Sequence, residues 1–218
     1  MINYAENNVI KLIGTVASEK KFSHEVYGEG FYEFNLDVPR LSDTSDIVPV
    51  LVSERLLTSF DLDIGKKLVI EGQYRSYNNQ ENEKNKLVLT VFVKEIRLFT
   101  PEDEDINTNE IILNGFICKK PIYRTTPFGR EIADILLAVN RAYNKSDYIP
   151  CIAWGRNAKF CQSIDVGANV KVFGRIQSRK YEKKHEDGTS EIKYAHEVSI
   201  SKMELVQKEE EAKEESLS

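Results

Sequence analysis

The sequence predicts an all-β protein made of two similar domains in tandem. Glu33–Arg55 and Asp134–Arg156 align without a gap at a constant spacing of 101 residues. The apolar segments of both halves are short, rich in β-branched and aromatic residues, and separated by Gly, Asn, Asp and Lys turns. A period this long indicates a repeated domain rather than a solenoid. Identical pairs at this spacing, or one residue more, include Gly14/Gly115, Arg40/Arg141, Asp46/Asp147, Pro49/Pro150, Gly65/Gly167 and Gly72/Gly174.

Each copy contains five strand candidates and one helix candidate, in the same order. In the second copy the strands lie at 111–117, 130–142, 147–155, 169–181 and 194–206. The helix is predicted over 156–167, where Gly167 suits a C-cap, and its counterpart over 54–65. Five strands with one short helix between strands three and four is the order of an OB-fold, a five-stranded Greek-key barrel. A β-sandwich is the weaker alternative, because it would need about seven strands per domain.

The repeat divides the 218 residues into four segments. We predict a first OB-fold over 1–99, an acidic linker over 100–108, a second OB-fold over 109–206 and a charged acidic tail over 207–218. Each barrel has about 100 residues, which is enough for its own core. Apolar runs fall short of the roughly 18 residues needed to cross a membrane. The first residues also lack the basic and apolar regions of a signal peptide, so we expect no secretion.

The net charge of −5 averages two unlike halves. Residues 1–106 hold 12 Lys and Arg against 19 Asp and Glu, whereas residues 107–207 hold 16 against 11. A basic half suggests an anionic partner, although small domains commonly differ by a few charges.

The sequence offers no pattern typical of catalysis or of a bound cofactor. Cys118, Cys151 and Cys161 are odd in number and form no Cys-x-x-Cys, so we expect free thiols in a reducing cytosol. The three histidines are scattered and show no zinc-ligand spacing. We therefore expect neither a metal nor a cofactor, and a protein that is not an enzyme.

The second copy resembles the bacterial single-stranded DNA-binding protein family. The resemblance rests on three segments, YRTTPFGREIADILLAVNRAYN (123–144), DYIPCIAWGRNA (147–158) and VFGRIQSRKYE (172–182), and covers about 95 residues. It implies a protein that coats single-stranded DNA during replication, repair or recombination. The location it implies is the cytoplasm of a bacterium, in association with the nucleoid.

Four aromatic residues stand where this family places its base-stacking residues. They are Tyr143, Tyr148, Trp154 and Tyr181. Tyr148 and Trp154 are six residues apart on one strand, so the two-residue period places both on the same face. An exposed ring can stack on any base, for roughly 1–3 kcal/mol each. Burial in the core is the alternative interpretation, which the polar residues flanking Tyr148 and Trp154 disfavour.

Basic residues lie between these rings and can neutralise phosphates. Arg141, Arg156 and Arg179 are each within two residues of a proposed stacking ring, which makes them the first candidates for DNA contact. The other candidates are Lys180, Arg124 and Lys193. A solvated surface charge is the alternative for any single one of them.

The first copy lacks the four rings. Ser42, Ile47, Ser53 and Asn79 replace them, and this copy is acidic. We therefore expect the first copy to be degenerate for DNA binding and to act in assembly or partner binding. It keeps other aromatic residues, for which we favour packing roles over a protein interface. These are Tyr27, Phe31, Tyr32, Tyr74 and Tyr77.

The resemblance also implies self-association. Members of the family work with four OB-folds together, so two per chain predict a homodimer. A second hypothesis is a protein-interaction module of a replication-restart or mobile-element system, and a third is RNA binding. The tail is acidic but does not end in the Ile-Pro-Phe-like tip of the family, so recruitment of partners through the tail is not implied. Replication or repair proteins remain possible partners.

Overall fold

The computed structural model describes residues 7–79, 86–104, 106–184 and 189–206. The first barrel contains strands β1 to β6 and a 3₁₀ turn at Glu54–Leu57. The strands are β1 (Asn8–Val16), β2 (Lys21–Val26), β3 (Glu29–Pro39), β4 (Ser45–Ser53), β5 (Lys67–Asn79) and β6 (Lys86–Leu98). The second barrel repeats this order. Its elements are β7 (Asn109–Ile117), β8 (Ile122–Thr125), β9 (Glu131–Arg141), β10 (Lys145–Trp154), α1 (Arg156–Cys161), β11 (Asn169–Lys184) and β12 (Ser190–Leu205).

Both halves close into the predicted Greek-key barrel. In the second half, β7 pairs with β9 and β11, β9 with β10, and β11 with β12. A parallel pairing of β10 with β12 completes the ring. The first half closes in the same way through β1, β3, β4, β6 and β5. The all-β, tandem OB-fold prediction is therefore confirmed.

Two short strands were not predicted. β2 and β8 each add a strand to the outside of a barrel, against β3 and β9. Most of their residues are exposed, so they carry no alternating apolar pattern that would reveal a strand.

The helix prediction was partly wrong. In the second barrel α1 covers only six residues, Arg156–Cys161, with Ala158 and Cys161 buried. In the first barrel the predicted helix over 54–65 is only a 3₁₀ turn. The segment that follows this turn is rich in Thr, Ser and Asp, whose side chains compete for backbone hydrogen bonds and disfavour helix.

The two barrels share one continuous sheet. β1 and β7 pair antiparallel from Asn8↔Leu113 to Leu12↔Asn109, which joins the barrels edge to edge. Each barrel keeps its own apolar interior, with fully buried residues such as Leu36 and Ile70 in the first and Leu137 and Val172 in the second.

Repeated glycines mark the same backbone geometry in both barrels. Gly72 and Gly174 lie at bulges in the β5–β6 and β11–β12 pairs. A Cβ would stand 2.2 Å from the Phe92 carbonyl oxygen at Gly72, and 2.3 Å from the Ser199 carbonyl oxygen at Gly174. No larger residue fits either position without moving the backbone.

The segment that connects the barrels is tied down at both ends. Asp103 ends a 3₁₀ turn at Pro101–Asp103 and accepts two hydrogen bonds from Arg97, at 2.7 and 2.6 Å. At the other end, the backbone N–H of Ile13 donates to the Thr108 carbonyl at 2.8 Å. An Asp-Gly pair favours a tight hairpin turn, so the sequence predicts one at Asp187-Gly188. This pair lies outside the described residues, as does the predicted tail.

The described helices are all too short, and too polar, to cross a membrane. Cys118, Cys151 and Cys161 carry free thiols, and burial raises the pKa of the Cys161 thiol to about 11.

Candidate nucleic-acid interface

The third strand of the second barrel separates core residues from exposed rings. Ile149, Cys151 and Ala153 of β10 are buried, whereas Tyr148 and Trp154 are 48% and 36% exposed. Successive side chains of a strand point to opposite faces, so both rings stand on the outer face of the barrel.

The Trp154 ring is anchored to the neighbouring strand. Its indole Nε1–H donates to the Ser199 hydroxyl on β12, at 3.1 Å. This bond orients the ring across the parallel β10–β12 pair, where Ile152 lies beside Ser199. Because the ring is already oriented, the Trp154 side chain loses little further conformational entropy when a base stacks on it.

Strand register extends this face onto the long β11–β12 hairpin. Arg175 pairs with Ser199, so it lies on the same face as the Trp154 ring. Alternate residues of a strand share a face, so Arg179 and Tyr181 lie on this face too, and Tyr181 pairs with Lys193. We call the surface formed by Tyr148, Trp154, Arg179, Tyr181 and Lys193 the stacking face. Arg175 and Tyr181 are six residues apart along β11, so the face runs for about 20 Å.

Lys180 and Tyr181 point to opposite sides of the hairpin. Lys180 pairs with Tyr194, on the side away from the stacking face. Tyr181 is 40% exposed and borders a cavity of about 360 Å³, together with Tyr194, Pro49 and Pro150. The two prolines come from equivalent positions of the two barrels, so this cavity lies at their junction.

Tyr143 lies apart from the other three rings. It occupies the turn between β9 and β10, is 94% exposed and has φ of 62°. Asn144, which follows, has φ of 55°. Asn tolerates this left-handed backbone, but a bulky Tyr adopts it at an energetic cost. An exposed ring held in such a conformation suggests a function outside folding.

Three of the predicted cations have carboxylate partners. Arg124 donates to both oxygens of Asp134, at 2.7 and 3.1 Å. The Lys193 Nζ lies 3.0 Å from Glu191, and the Arg141 guanidinium 3.6 Å from Asp147. Within the described parts of the chain, Arg156, Arg179 and Lys180 are exposed and form no ion pair.

Arg141 lies at the junction between the barrels rather than on the stacking face. Asp147, its partner, also accepts a hydrogen bond from the Ser76 backbone N–H of the first barrel, at 2.9 Å. Burial raises the pKa of the Asp147 carboxyl. Arg40, at the equivalent position of the first copy, binds Asp46 more closely, through two hydrogen bonds at 2.8 and 2.5 Å.

Sequence reasoning missed one exposed ring beside Trp154. Phe128 is 93% exposed in the β8–β9 turn and lines a hollow with Trp154, Arg130 and Thr126. The signal was available, because an aromatic residue in the polar turn Thr-Thr-Pro-Phe-Gly has no strand to pack against.

At the aligned positions the first barrel offers no such rings. Ser53 caps the 3₁₀ turn by accepting a hydrogen bond from the Arg55 backbone N–H at 3.2 Å. Ile47 is half-buried, and its backbone N–H donates to the Ser178 hydroxyl of the second barrel at 3.0 Å. Ser42 is exposed in the β3–β4 turn, and the Asn79 side chain lies outside the described part of the structure.

Comparison with known proteins identifies relatives of the second barrel. The profile of the Single-strand binding protein family matches residues 108–206, the whole second barrel. Single-stranded DNA-binding protein 1 of Staphylococcus aureus (strain COL) is 38% identical over 81 residues, which cover 34% of this chain and 48% of that protein. Single-stranded DNA-binding protein B of Bacillus subtilis (strain 168) is 36% identical over 92 residues, covering 38% of this chain and 77% of that protein. The chain spans about half the length of the first curated relatives it matches.

A solved structure shares the fold of both barrels. A deletion mutant of the single-stranded DNA binding protein from Thermus aquaticus superposes with a TM-score of 0.74 at 19% identity, covering 95% of this chain and 98% of that one. The tandem two-barrel arrangement is therefore found in a second protein. Since a relative more than 30% identical is covered over three-quarters of its length, the chain belongs to the single-strand binding protein family.

Proposed function

We propose that this chain binds single-stranded DNA without sequence preference through the stacking face of its second barrel. The observation that supports this most directly is the exposure of Tyr148, Trp154 and Tyr181 on strands whose alternate residues form the core. A base presents a flat π surface whatever its identity, so rings in this arrangement hold any sequence. Tyr143 and Phe128 extend the aromatic surface at its edges.

Cations complete the proposed surface. Arg156 and Arg179 supply charge for phosphates, and Lys180 adds charge from the opposite side of the β11–β12 hairpin. Arg124 and Lys193 can exchange their carboxylate partners for phosphate. Arg141 lies at the junction of the two barrels, beside the stacking face rather than on it. Phosphate neutralisation releases counterions from the DNA, so the binding is salt-dependent.

The biological role follows from the relatives. The similar proteins of S. aureus and B. subtilis are named single-stranded DNA-binding proteins. We infer that this chain coats single strands during replication, repair or recombination in the cytoplasm of a bacterium, associated with the nucleoid. Coating a strand requires no bond to be made or broken, so we propose no catalysis.

Two copies of the chain would assemble through the shared sheet. Val9 of β1 pairs with Ile112 of β7 at the centre of this sheet, and Ile112 pairs with Phe173 of β11. Val9 is 40% exposed, and Ile112 and Phe173 are half-buried. This apolar strip supports a homodimer with four barrels. Light scattering should give twice the chain mass for the wild type and a single chain mass for Val9→Glu. A wild-type monomer at every concentration would refute the homodimer.

Competition for a labelled oligo-dT strand tests the function itself. Unlabelled single-stranded DNA of mixed sequence should displace the label as well as oligo-dT does, and duplex DNA of equal length should not. RNA of matched sequence should compete more weakly. Equal competition by RNA would favour RNA binding, and an absence of oligo-dT binding would contradict the proposal.

A further inference from the structure

A ring and a serine have exchanged strands between the two barrels. In the second barrel Trp154 stands on β10 and Ser199 on β12, joined by a hydrogen bond. In the first barrel the position of Trp154 is occupied by Ser53, and the position of Ser199 by Phe92. The first barrel therefore has an aromatic residue at this place, on the neighbouring strand.

Strand register establishes that the positions correspond. In the parallel β4–β6 pair Leu51 lies opposite Phe92, and in the parallel β10–β12 pair Ile152 lies opposite Ser199. Leu51 and Ile152 are 101 residues apart, the spacing of the repeat. From β10 to β4 a ring is lost, and from β12 to β6 a ring is gained. The exchange appears only when the two neighbouring strands are considered together.

Phe92 belongs to a stack that crosses four strands. The His24 ring on β2 lies parallel to the Phe31 ring on β3, with centroids 5.1 Å apart and planes 8° apart. Phe31 lies 6.0 Å from Phe92, and the Arg75 guanidinium covers Phe92 at 3.6 Å. His24 is exposed, so the outer end of this stack is open to a further flat ring.

The stack borders a groove of about 350 Å³ on the face equivalent to the stacking face. His24, Phe92 and Arg75 line it, together with Tyr77 on β5, which is 44% exposed, and Arg141 from the second barrel. Aromatic rings and guanidinium groups thus face one groove. Rings can stack on the bases of a nucleic acid, and guanidinium groups can bind its phosphates.

The guanidinium groups of this groove are incompletely neutralised. At the equivalent junction site, Asp46 binds both Arg40 and Arg175 closely. Here Asp147 lies 3.6 Å from Arg141. Among the described residues, Arg75 donates only to an uncharged side chain, Gln73, at 3.0 Å.

The Arg75 guanidinium lies in an environment that disfavours its positive charge. Its Nε atom is buried and has no hydrogen-bond partner among the described residues. Burial and the nearby Arg141 lower the pKa of the Arg75 guanidinium to about 10. A phosphate beside the two arginines would relieve both effects. Glu33 lines the groove on its β2–β3 side, where its carboxylate accepts a hydrogen bond from Ser23 at 2.8 Å.

We infer that this groove of the first barrel is a second binding site for single-stranded DNA, in which Arg75 and Arg141 hold phosphate and the exposed rings of His24 and Tyr77 stack on bases. The inference rests on the proposed function of the second barrel. It replaces the expectation that the first copy is degenerate for DNA binding, since the platform is rebuilt from different strands.

The length dependence of binding by the full chain tests this site. A strand of about 12 nucleotides suffices for one barrel, and one of about 30 can reach both. We expect the long strand to bind wild-type protein about tenfold more tightly than the short one. His24→Ala and Arg75→Gln should lose most of this gain, whereas Lys94→Gln, which removes an exposed cation of β6 outside the groove, should keep it.

A second measurement remains decisive if a variant unfolds. The long strand carrying 5-bromouracil is cross-linked to wild-type protein by light, and modified peptides are identified by mass spectrometry. Cross-links in the peptides of His24 and Tyr77 support the inference. An unchanged gain in both groove variants, or cross-links confined to the second barrel, would overturn it. Failure of the proposed function itself would give a different result, because the short strand would then leave the Trp154 fluorescence of wild-type protein unchanged.

Discussion

The buried carboxylate of Asp46 accepts a hydrogen bond from the backbone N–H of Ser178, 2.6 Å away in the other barrel. The reciprocal contact is present as well, because the Ser76 N–H donates to Asp147 at 2.9 Å. The two aspartates are 101 residues apart and the two serines 102. Each barrel thus offers the other the same pair of groups, which is the arrangement of a two-fold symmetric interface within one chain.

Loss of the Asp46 charge should weaken the junction. Arg40 and Arg175 both bind this carboxylate, whose side chain is fully buried, so Asp46→Asn leaves two guanidinium groups poorly compensated. We expect the free energy of unfolding to fall by about 3 kcal/mol. Asp43→Asn, at an exposed position of the same turn, should change it by less than about 0.5 kcal/mol. Urea denaturation measures both, and equal effects would show that the buried cluster does not stabilise the junction.

The hydrogen bonds that hold Asp103 in the connecting segment should make the free energy of unfolding depend on pH. Hydrogen bonds from Arg97 and Thr100 hold the pKa of the Asp103 carboxyl well below its usual range. A carboxylate with a depressed pKa stabilises the fold above its unfolded pKa of about 3.9, and this contribution disappears as the pH falls toward the folded pKa. Wild-type protein should exceed Asp103→Asn in urea midpoint at pH 7, and the difference should shrink below pH 4.

The neighbouring Glu102 provides the control for that titration. It is exposed in the same turn, so Glu102→Gln should follow wild-type protein across the pH range. A difference between wild type and Asp103→Asn that stayed constant from pH 7 to pH 3 would contradict the assigned role of the carboxylate.

Removal of one stacking ring should cost affinity without unfolding the protein. Tyr148→Ala leaves the β10 core residues in place, and we expect oligo-dT binding to weaken by about 1–3 kcal/mol. Val166→Ala is the control, since Val166 is 57% exposed in the turn between α1 and β11 and belongs to neither proposed site. Fluorescence anisotropy of a labelled strand gives both affinities. Equal losses for the two variants would argue against a dedicated stacking face.

Cations that contact phosphate should contribute to the salt dependence of DNA affinity. Arg179→Gln, on the stacking face, should reduce the slope of log affinity against log salt by about 0.7 if Arg179 contacts one phosphate, and Lys180→Gln, on the opposite side of the hairpin, should reduce it by less. Lys202→Gln removes a cation of the same barrel that is paired with Glu204, and should leave the slope unchanged. Titrations at several salt concentrations distinguish the candidates. A slope that none of the three substitutions alters would place the phosphates elsewhere.

Much of the fold could be predicted because the repeat supplied an internal comparison. The strands with alternating apolar residues, such as β10, appear where the sequence placed them, and the paired glycines correspond to paired bulges. The exposed edge strands β2 and β8 were not found, because their mostly polar residues bury little surface and leave no periodic signal.

The candidate site was predictable only in part, because contacts depend on neighbours in space. The alternation along β10 predicted outward positions for Tyr148 and Trp154. Proximity in sequence to a ring suggested that Arg141 acts beside the rings of the second barrel, whereas in the structure it lies beside Asp147 at the junction and lines the groove of the first barrel. The exchange of Trp154 and Phe92 between strands likewise becomes visible only when β6 is seen beside β4.

Trp154 is the single tryptophan of the chain, so its fluorescence reports on the stacking face alone. Titration with oligo-dT at several salt concentrations is therefore the most direct test of the central claim. We predict strong quenching, with an affinity that falls as salt rises by a slope of about −0.7 per phosphate contacted. Binding of the strand with unchanged Trp154 fluorescence would contradict the stacking face, and an absence of binding would contradict the proposed function.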